Sequence, residues 1–347
     1  MKVTCFSSFT FAYLNRARVL YSTLRKFHPD WNLVALITDE PPPGFRFDPA
    51  SEPFDKVVYA EDLGIPDFKA WLFKHDVVEV CTAVKGPFLH QACASDADAV
   101  IYLDPDTALF ASLDPLLGWL ANDDILLTPH LVDANTERQA IFDNDLSASR
   151  TGIFNLGFVA VKAGGEGVRF GQWWNDRLLE FCYDDIPAGL FVDQKWCDHV
   201  PALFDKVKVV RDPGYNVASW NLSQRRVAIG RDGAITVNGS PLRFWHFTKL
   251  GPTGDAMTKR YAGENHAAYE IWRWYKDQVA AATEPAIPER YWAYGAYGDG
   301  TPIARAHRLV WRDRADLRER FPDPFSVEDG GYLGWLRDEG LAERPAA

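Results

Sequence analysis

The amino-acid sequence predicts an α/β fold, with a mostly parallel central sheet, flanking helices and a small C-terminal appendage. The chain opens on a strand pattern, a helical pattern and a second strand pattern, an order that places the two strands in parallel. Short apolar runs rich in β-branched and aromatic residues then alternate with helical patterns along most of the length. With 347 residues, 47% of them hydrophobic, the chain can form one large domain with an appendage, or two domains.

The elements are assigned from the period of their apolar residues. In the first helix Leu14, Ala17 and Leu24 recur at helical spacing, whereas Val100 to Leu103 form a continuous apolar run typical of a buried strand. In chain order we predict a strand from Lys2 to Phe6, a helix from Tyr13 to Lys26, a strand in WNLVALITD, helices over 68–81 and 86–94, strands in VIYLDPDTALF, DILLTPHLV and GIFNLGFVAVKA, a helix in GVRFGQWWNDRLLEFC, and strands at Val207–Val210 and in LRFWHF.

Charge and cysteine content exclude several classes of function. The formal net charge of -11 opposes binding to nucleic acid and to anionic membranes. The five cysteines are scattered without a C-x-x-C pair, which is typical of reduced thiols. No run approaches a membrane span, and the N-terminal residues lack the cleavage site of a signal peptide. We therefore expect a cytoplasmic protein without a nucleic-acid partner.

The composition changes near residue 283, where TEPAIPERYWAYGAYGDGTPIA interrupts the α/β pattern with Pro, Gly and aromatic residues. We predict a catalytic domain over 1–282 and an appendage over 283–347 that contains an arginine-rich helix. Two interpretations of its arginines stay open: weak peripheral contact with an anionic membrane or a lipid-linked diphosphate, or pairing within the helix between Asp316 and its i,i+4 neighbours. The arginines are Arg305, Arg308, Arg312, Arg314, Arg318 and Arg320.

Two carboxylates, Asp104 and Asp106, follow the predicted strand in VIYLDPDTALF. If the chain stays extended, their side chains lie on the same side, where they repel each other unless a cation is present. Oxygen ligands favour Mg²⁺ or Mn²⁺ with positions open for substrate phosphates. The alternative is a turn, since Asp-Pro commonly begins one. Asp39 ends the second predicted strand, so it is expected in the same crevice.

Further motifs follow in a fixed order: TAVKGPF, LDPDT, FNLGF, VDQKW and WHF. The ordered set resembles the nucleotide-sugar glycosyltransferases of the GT-A fold, and looks most like glycosyltransferase family 8 and its bacterial relatives, over residues 2–270. The resemblance implies a hexosyltransferase that uses Mn²⁺ or Mg²⁺ and retains anomeric configuration. It also implies a nucleotide diphosphate sugar as donor, with uridine as the family default, and a saccharide or lipid-linked saccharide as acceptor, as in polysaccharide biosynthesis.

The resemblance assigns metal ligands to three positions. Asp104 and Asp106 match the family's metal-binding aspartates, of which the first also approaches the donor ribose, and His246 matches its late metal-binding histidine. A histidine packed between aromatic residues in the core is the alternative for His246. The family's Lys-Pro-Trp stretch after the histidine is absent here, and Lys249 is predicted to supply its charge to the diphosphate.

Donor contacts are implied at the remaining motifs. Ser7 and Ser8 stand where the family binds the nucleobase and ribose, and Lys85 stands where it places a basic residue facing the donor, unless it is a solvated lysine at a helix start. Asn155 matches a residue that contacts the donor sugar, and Gly157 lets the backbone approach a ligand or marks a bulge. His130 and the stretch GYNVASWN are predicted to line the sugar or acceptor side.

Asp193 and Gln194 match the family's pair beside the anomeric carbon, which makes them the candidate catalytic residues. Asp193 would bind donor-sugar hydroxyls, unless it caps the following helix, and Gln194 would lie opposite the leaving diphosphate. An amide is a poor nucleophile, so same-face attack without a dedicated base is favoured. Two other functions stay open: a sugar nucleotidyltransferase, although CFSSFTFAYLNRAR lacks a glycine-rich loop, and a carbohydrate-binding or scaffolding protein on a degenerate transferase fold.

Overall fold

A seven-stranded sheet forms the centre of the computed structural model, which describes residues 1–328 and 330–343. Its strands and those of three small sheets are β1 (Val3–Phe9), β2 (Asn32–Ile37), β3 (Lys56–Tyr59), β4 (Ala99–Leu103), β5 (Thr107–Leu109), β6 (Ile125–Pro129), β7 (Phe154–Lys162), β8 (Asp184–Asp185), β9 (Leu190–Phe191), β10 (Val207–Val209), β11 (Val227–Ile229), β12 (Ile235–Val237), β13 (Ser240–Pro241) and β14 (Phe244–His246).

Helices flank the large sheet and make up most of the C-terminal part. They are α1 (Leu14–Phe27), α2 (Phe68–Phe73), α3 (Val77–Ala83), α4 (Lys85–Cys93), α5 (Asp114–Trp119), α6 (Arg138–Ala140), α7 (Leu146–Thr151), α8 (Gly165–Phe181), α9 (Val200–Leu203), α10 (Pro252–Ala262), α11 (His266–Ala281), α12 (Arg305–Asp313), α13 (Ala315–Arg320) and α14 (Tyr332–Asp338). One turn of π-helix, Ile141–Asp145, joins α6 to α7.

The strand order of the large sheet is β10-β6-β7-β4-β1-β2-β3. Neighbouring strands from β4 to β3 are parallel, as are β10 and β6, whereas β7 is antiparallel to both β4 and β6. The predicted α/β class with a mostly parallel sheet is therefore confirmed. Because β7 runs against its neighbours, its amino end meets the carboxyl end of β4, where the candidate aspartates begin.

The two faces of the sheet bury alternate residues of each strand. Phe6 and Tyr102 pack on one face with residues of α4 and α8, and Cys5 and Ile101 pack on the other with residues of α1. This is the period of two that a strand covered on both faces requires. Both faces are apolar, so the polar chemistry of the sheet is confined to its edges and strand ends.

The predicted helix over 68–81 is wrong as a single element. It is divided into α2 and α3, because Asp76 caps α3: its carboxylate accepts from the backbone N–H of Val78 and Glu79 at 2.9 Å, while Glu79 accepts from the Asp76 N–H. Such a capping box fixes the start of a new helix. The small sheet of β11–β13 and the helices α10 and α11 had not been predicted.

The arginine-rich helix is also divided, into α12 and α13, since Arg314 has extended backbone angles. The predicted i,i+4 pairs of Asp316 with Arg312 and Arg320 are wrong, since neither is found among the described residues. Asp316 instead pairs with Arg314 at 2.5 Å, and Arg312 pairs with Asp313 at 3.3 Å. The break separates Asp316 from Arg312, whereas Asp316 and Arg320 lie in the same helix, α13.

The segment after residue 283 packs on the main body through polar contacts as well as apolar ones. Arg308 is buried and donates to the carbonyls of Phe73 and Tyr294, and Trp292 donates to the Thr38 carbonyl at 3.2 Å. The division at residue 283 stays a prediction, and residues 329 and 344–347 of the predicted appendage lie outside the described residues. Within the described ranges, the helices are all too short or too polar to cross a membrane.

Candidate functional site

A tight turn between β4 and β5 carries the two aspartates. The Thr107 N–H donates to the Asp104 carbonyl at 3.1 Å, and Pro105 occupies the second position of the turn, where its fixed φ is favoured. The chain therefore does not stay extended after β4, so the condition under which strand alternation would place both side chains on one side is not met. Asp104 and Asp106 are instead brought together by the turn, which makes the turn and the cluster parts of one feature rather than alternatives.

His246 reaches the aspartates from a distant part of the chain. β14 pairs with β5 in antiparallel register, with His246 opposite Thr107, and the Phe247 N–H donates to the Asp106 carbonyl at 2.7 Å. The His246 Nε2 lies 3.1 Å from an Asp106 oxygen and 3.5 Å from an Asp104 oxygen. Ligand atoms of the three residues lie within 4.8 Å of one another, close enough to hold one metal ion.

The ionisation of this cluster is set by burial and mutual charge. Burial works against the charged form of His246, yet the Asp106 and Asp104 carboxylates raise its pKa above the ordinary value of 6.5. Burial likewise works against ionised Asp106, but the His246 imidazole lowers the pKa of Asp106 below its ordinary value. His246 and Asp106 thus favour the imidazolium and the carboxylate forms. The positive charge of the imidazolium balances the carboxylate, as a bound metal ion would.

A buried lysine links this cluster to Asp193. Lys85, at the start of α4, is only 2% exposed, so the solvated alternative for it is wrong. Its Nζ lies 3.2 Å from Asp104, 2.9 Å from Asp193 and 3.1 Å from the Leu156 carbonyl. Burial opposes its charge, but the two carboxylates raise the pKa of Lys85 above 10.5. Lys85 is therefore a buried cation that holds two carboxylates in place.

The Asp193 carboxylate turns toward Lys85 rather than capping the 3₁₀ helix Lys195–His199, so the capping alternative is wrong. Burial raises the pKa of Asp193 to about 6, with Lys85 acting in the opposite direction. Gln194 beside it is buried, and its Nε2 donates to the Thr151 carbonyl at 2.9 Å. The two candidate catalytic residues thus enter the site with different partners, one an ion and one a backbone group.

Ser7 and Ser8 lie on opposite faces of β1. Ser8 donates to the Cys81 carbonyl at 2.6 Å and lies 3.2 Å from the Tyr102 hydroxyl, which in turn donates to Asp104 at 2.6 Å. The Ser7 hydroxyl is buried on the other face, without a hydrogen-bond partner among the residues that the structure describes. Of the two serines, only Ser8 is connected to the aspartate cluster.

The remaining predicted residues differ in how near they lie to the cluster of aspartates and histidine. Asn155 lies 3.2 Å from His246 and is part of the cluster. Lys249 is exposed, in a left-handed conformation three residues after His246, and no ion pair of its side chain is found in the described part of the chain. Asp39 accepts from the backbone N–H of Phe11, Glu40 and Ala293, so it is engaged by main chain rather than by the cluster.

Two residues of the cluster were missed or given another role by the sequence analysis. Tyr102 lies with its ring 4.1 Å from the Lys85 Nζ and donates to Asp104, a role that its position two residues before Asp104 on one strand face could have indicated. Asn216, predicted to line the sugar or acceptor side, donates instead to Asn155 and Thr128, both at 2.9 Å. No local pattern indicates that contact, because it joins a loop to two strands distant from it in sequence.

No protein-family model matches the chain. Among curated proteins it is similar to two from Bacillus subtilis (strain 168), the uncharacterized proteins YfnF and YfnD. The identity to YfnF is 31% over 177 residues, 50% of this chain and 57% of YfnF. The identity to YfnD is 31% over 175 residues, 49% of this chain and 53% of YfnD. The chain therefore spans about half the length of the curated relatives that it matches.

Solved structures with a similar chain path include glycosyltransferases. The galactosyltransferase LgtC, in complex with donor and acceptor sugar analogs, is 15% identical, with 83% of this chain and 98% of LgtC covered at a TM-score of 0.43. Mouse xyloside xylosyltransferase 1 is 16% identical, with 72% and 98% covered at a TM-score of 0.39. GlyE of Streptococcus pneumoniae is 14% identical, with 63% and 48% covered at a TM-score of 0.37.

Proposed function

We propose that the chain is a metal-dependent glycosyltransferase of the GT-A fold that transfers a hexose from a nucleotide diphosphate sugar to a saccharide or glycolipid acceptor. The observation that carries the proposal is the convergence of Asp104, Asp106 and His246 within 4.8 Å at the carboxyl end of β4. Ligands of open α/β sheets bind at the carboxyl ends of the strands. An oxygen-rich metal site there suits a diphosphate, which needs a cation between it and the carboxylates.

The three candidate ligands, two carboxylates and one imidazole, fit Mn²⁺ or Mg²⁺. Two carboxylate oxygens favour hard divalent ions, and the single imidazole nitrogen suits Mn²⁺ better than Mg²⁺. The side chains of His246 and Asp106 are 5% and 12% exposed, and the side chain of Asp104 is more open, at 24%. The open side of the cluster is therefore at Asp104. When bound, such an ion would stabilise the leaving diphosphate as a Lewis acid.

The buried residues around the cluster would orient the donor sugar. Lys85 fixes the Asp193 carboxylate at 2.9 Å, so Asp193 is pre-positioned to accept hydrogen bonds from sugar hydroxyls. Three hydrogen-bond acceptors already surround the Lys85 Nζ, so Lys85 would contact the nucleotide sugar only by giving up one of them. Gln194 is a neutral amide and cannot act as a carboxylate nucleophile. The absence of a carboxylate nucleophile at this position favours attack by the acceptor hydroxyl on the same face of the sugar as the leaving diphosphate. The leaving phosphate oxygen then accepts the proton of that hydroxyl, and the anomeric configuration is retained.

Several finer points stay predictions that rest on the family resemblance. They are UDP as the nucleotide, the ribose and base contacts of Ser7 and Ser8, and the diphosphate contact of Lys249. A role in polysaccharide synthesis rests on the same resemblance. Cytoplasmic location and a peripheral membrane contact of the C-terminal arginines stay predictions from the cysteine, signal-peptide and charge patterns of the sequence. Of those arginines, Arg308 is buried, and three others pair with the carboxylates of Asp76, Asp313 and Asp316, so a membrane contact would fall to Arg318 and Arg320.

The test is Mn²⁺-dependent hydrolysis of a panel of nucleotide sugars without acceptor, in the unsubstituted protein, in Asp106→Asn and in Asp124→Asn. Asp124 is a matched control, because it is also buried but lies at the amino end of β6, at the opposite edge of the sheet. We expect slow hydrolysis of one donor, lost in Asp106→Asn and retained in Asp124→Asn. If no donor binds or turns over with Mn²⁺ or Mg²⁺, the protein is better described as a carbohydrate-binding or scaffolding protein.

A further inference from the structure

The Asn155 side chain lies between Gln194 and His246 and is 8% exposed. Its Oδ1 accepts from the Gly157 N–H at 3.2 Å and from the Asn216 Nδ2 at 2.9 Å, and lies 3.2 Å from the His246 Nδ1. Its Nδ2 lies 3.4 Å from the Gln194 Oε1 and 3.3 Å from the Nε2 of His130. The amide thus has partners on every side within the protein.

Backbone groups at both ends of this chain of contacts fix which way the amides point. The Thr151 carbonyl can only accept, so the Gln194 Nε2 faces it and the Gln194 Oε1 faces Asn155. The Gly157 N–H can only donate, so it requires the oxygen of Asn155. Both constraints place the Asn155 Nδ2 toward Gln194 and its Oδ1 toward His246.

An amide oxygen facing the His246 Nδ1 requires a hydrogen on that nitrogen, because the oxygen can only accept. The Nε2 is then the atom that faces Asp106 at 3.1 Å and Asp104 at 3.5 Å. We infer that Asn155, held by Gln194 and Asn216, is the positioning residue that fixes the His246 ring and directs its Nε2 to the metal. This inference rests on the proposed function, and it gives Asn155 a task other than contact with the donor sugar.

The surroundings of the amide are built for this contact. Asn216 is almost fully buried and adopts a left-handed backbone conformation with φ of 52°, which asparagine tolerates better than most residues. A Cβ on Gly157 would lie 2.6 Å from the Nδ1 and Cε1 of His246 and 2.8 Å from the Asn155 Oδ1. Only glycine at that position therefore lets the ring and the amide meet.

The first measurement is ¹⁵N NMR of histidine-labelled, metal-free protein, with the His246 signals assigned through His246→Gln. The comparison is between Asn155→Leu, which removes the acceptor, and Asn155→Asp, which keeps one. We expect a slowly exchanging Nδ1–H signal of His246 in the unsubstituted protein and in Asn155→Asp, and its loss in Asn155→Leu. A signal that persists in Asn155→Leu overturns the inference.

The second measurement is Mn²⁺ affinity by electron paramagnetic resonance of the free ion, after thermal unfolding has established that each variant folds. Loss of a group that orients a metal-binding histidine typically weakens metal affinity about 10- to 100-fold, which we expect for Asn155→Leu but not for Asn155→Asp. Asn216→Asp serves if Asn155→Leu does not fold. It places an oxygen against the Asn155 Oδ1, so the amide should turn and Mn²⁺ affinity should fall, although the added charge alone would raise it.

The two levels of failure are distinguishable. If the unsubstituted protein does not bind Mn²⁺, the proposed function is wrong, whatever the NMR signals show. If it binds Mn²⁺ and Asn155→Leu, or Asn216→Asp in its place, binds with unchanged or higher affinity, the inference is wrong and the proposed function stands.

Discussion

Asp39 and the pair Asp104 and Asp106 follow parallel strands at the same edge of the sheet, yet their partners differ in kind. Asp39 accepts from three backbone N–H groups, at 2.7 to 3.1 Å, the shortest of them from Ala293 in the C-terminal segment. Asp104 and Asp106 face side chains instead, with His246 between them and Lys85 on the other side of Asp104.

The kind of partner distinguishes a structural carboxylate, such as Asp39, from carboxylates that can bind a ligand, such as Asp104 and Asp106. Backbone N–H groups are fixed in place and cannot be exchanged for a ligand without unfolding the segment that carries them. Side-chain cations can give up a contact when a metal or a substrate arrives. The position of an aspartate at a strand end therefore indicates a site only when its partners are side chains.

The largest expected effect is on Mn²⁺ affinity, when Asp106 or Asp39 is replaced. We expect Asp106→Asn to weaken Mn²⁺ affinity by about 100-fold or more, because it removes a charged ligand, and Asp39→Asn to change it less than about twofold. Isothermal titration with Mn²⁺ measures both. Similar losses in the two variants would mean that Asp39 belongs to the metal site and that the comparison is mistaken.

A smaller effect is expected on the pH dependence of metal binding. The pKa of His246 is raised above 6.5, so below that raised value the imidazole is protonated and must release a proton to bind a metal. Mn²⁺ affinity should therefore fall by up to about tenfold per pH unit as the pH drops below the raised pKa. Titrations at pH 6, 7 and 8 test this. His246→Gln should bind weakly and remove this dependence, and a flat profile in the unsubstituted protein would contradict it.

The third effect, on stability and not on metal affinity, is expected at Asp39. Burial raises the pKa of Asp39 from 3.8 to about 7, so the folded protein holds this proton more tightly than the unfolded chain. The contribution of Asp39 to the free energy of unfolding should then decrease as the pH rises from about 4 to 7, by at most about 1.4 kcal/mol per pH unit. Urea unfolding of Asp39→Asn should give a flatter profile over that range. Parallel profiles would show that Asp39 does not titrate there.

Much of this fold could be predicted because its strands are short apolar runs and its long helices are amphipathic. The direction of β7 could not, since both faces of that strand are buried and its apolar run is compatible with either direction. The break between α2 and α3 had a local signal in Asp76 and Glu79, a capping box that the helical period obscured.

At the site, residues in local motifs were easier to predict than contacts between motifs. Asp104 and Asp106 lie in one turn, and the match to ordered motifs added His246, which the structure brings beside them. The structure separates Ser7 from Ser8 by the alternation of a strand, a distinction that follows from the period of two once β1 is accepted. The contact of Asn216 with Asn155 depends on loop geometry, which no local pattern encodes.

His246 is also the last of the clustered ligands to leave the ribosome, because synthesis runs from the N-terminus. Asn155, its nearest amide partner, precedes it by 91 residues, and Ala293, which binds Asp39, comes later still. Until β14 has been made, the turn that carries Asp104 and Asp106 has Lys85 beside it but lacks His246. The nascent protein thus passes through a stage in which its central sheet can begin to form while Asp104 and Asp106 lack His246, so the set of three candidate ligands is completed only once β14 has been made.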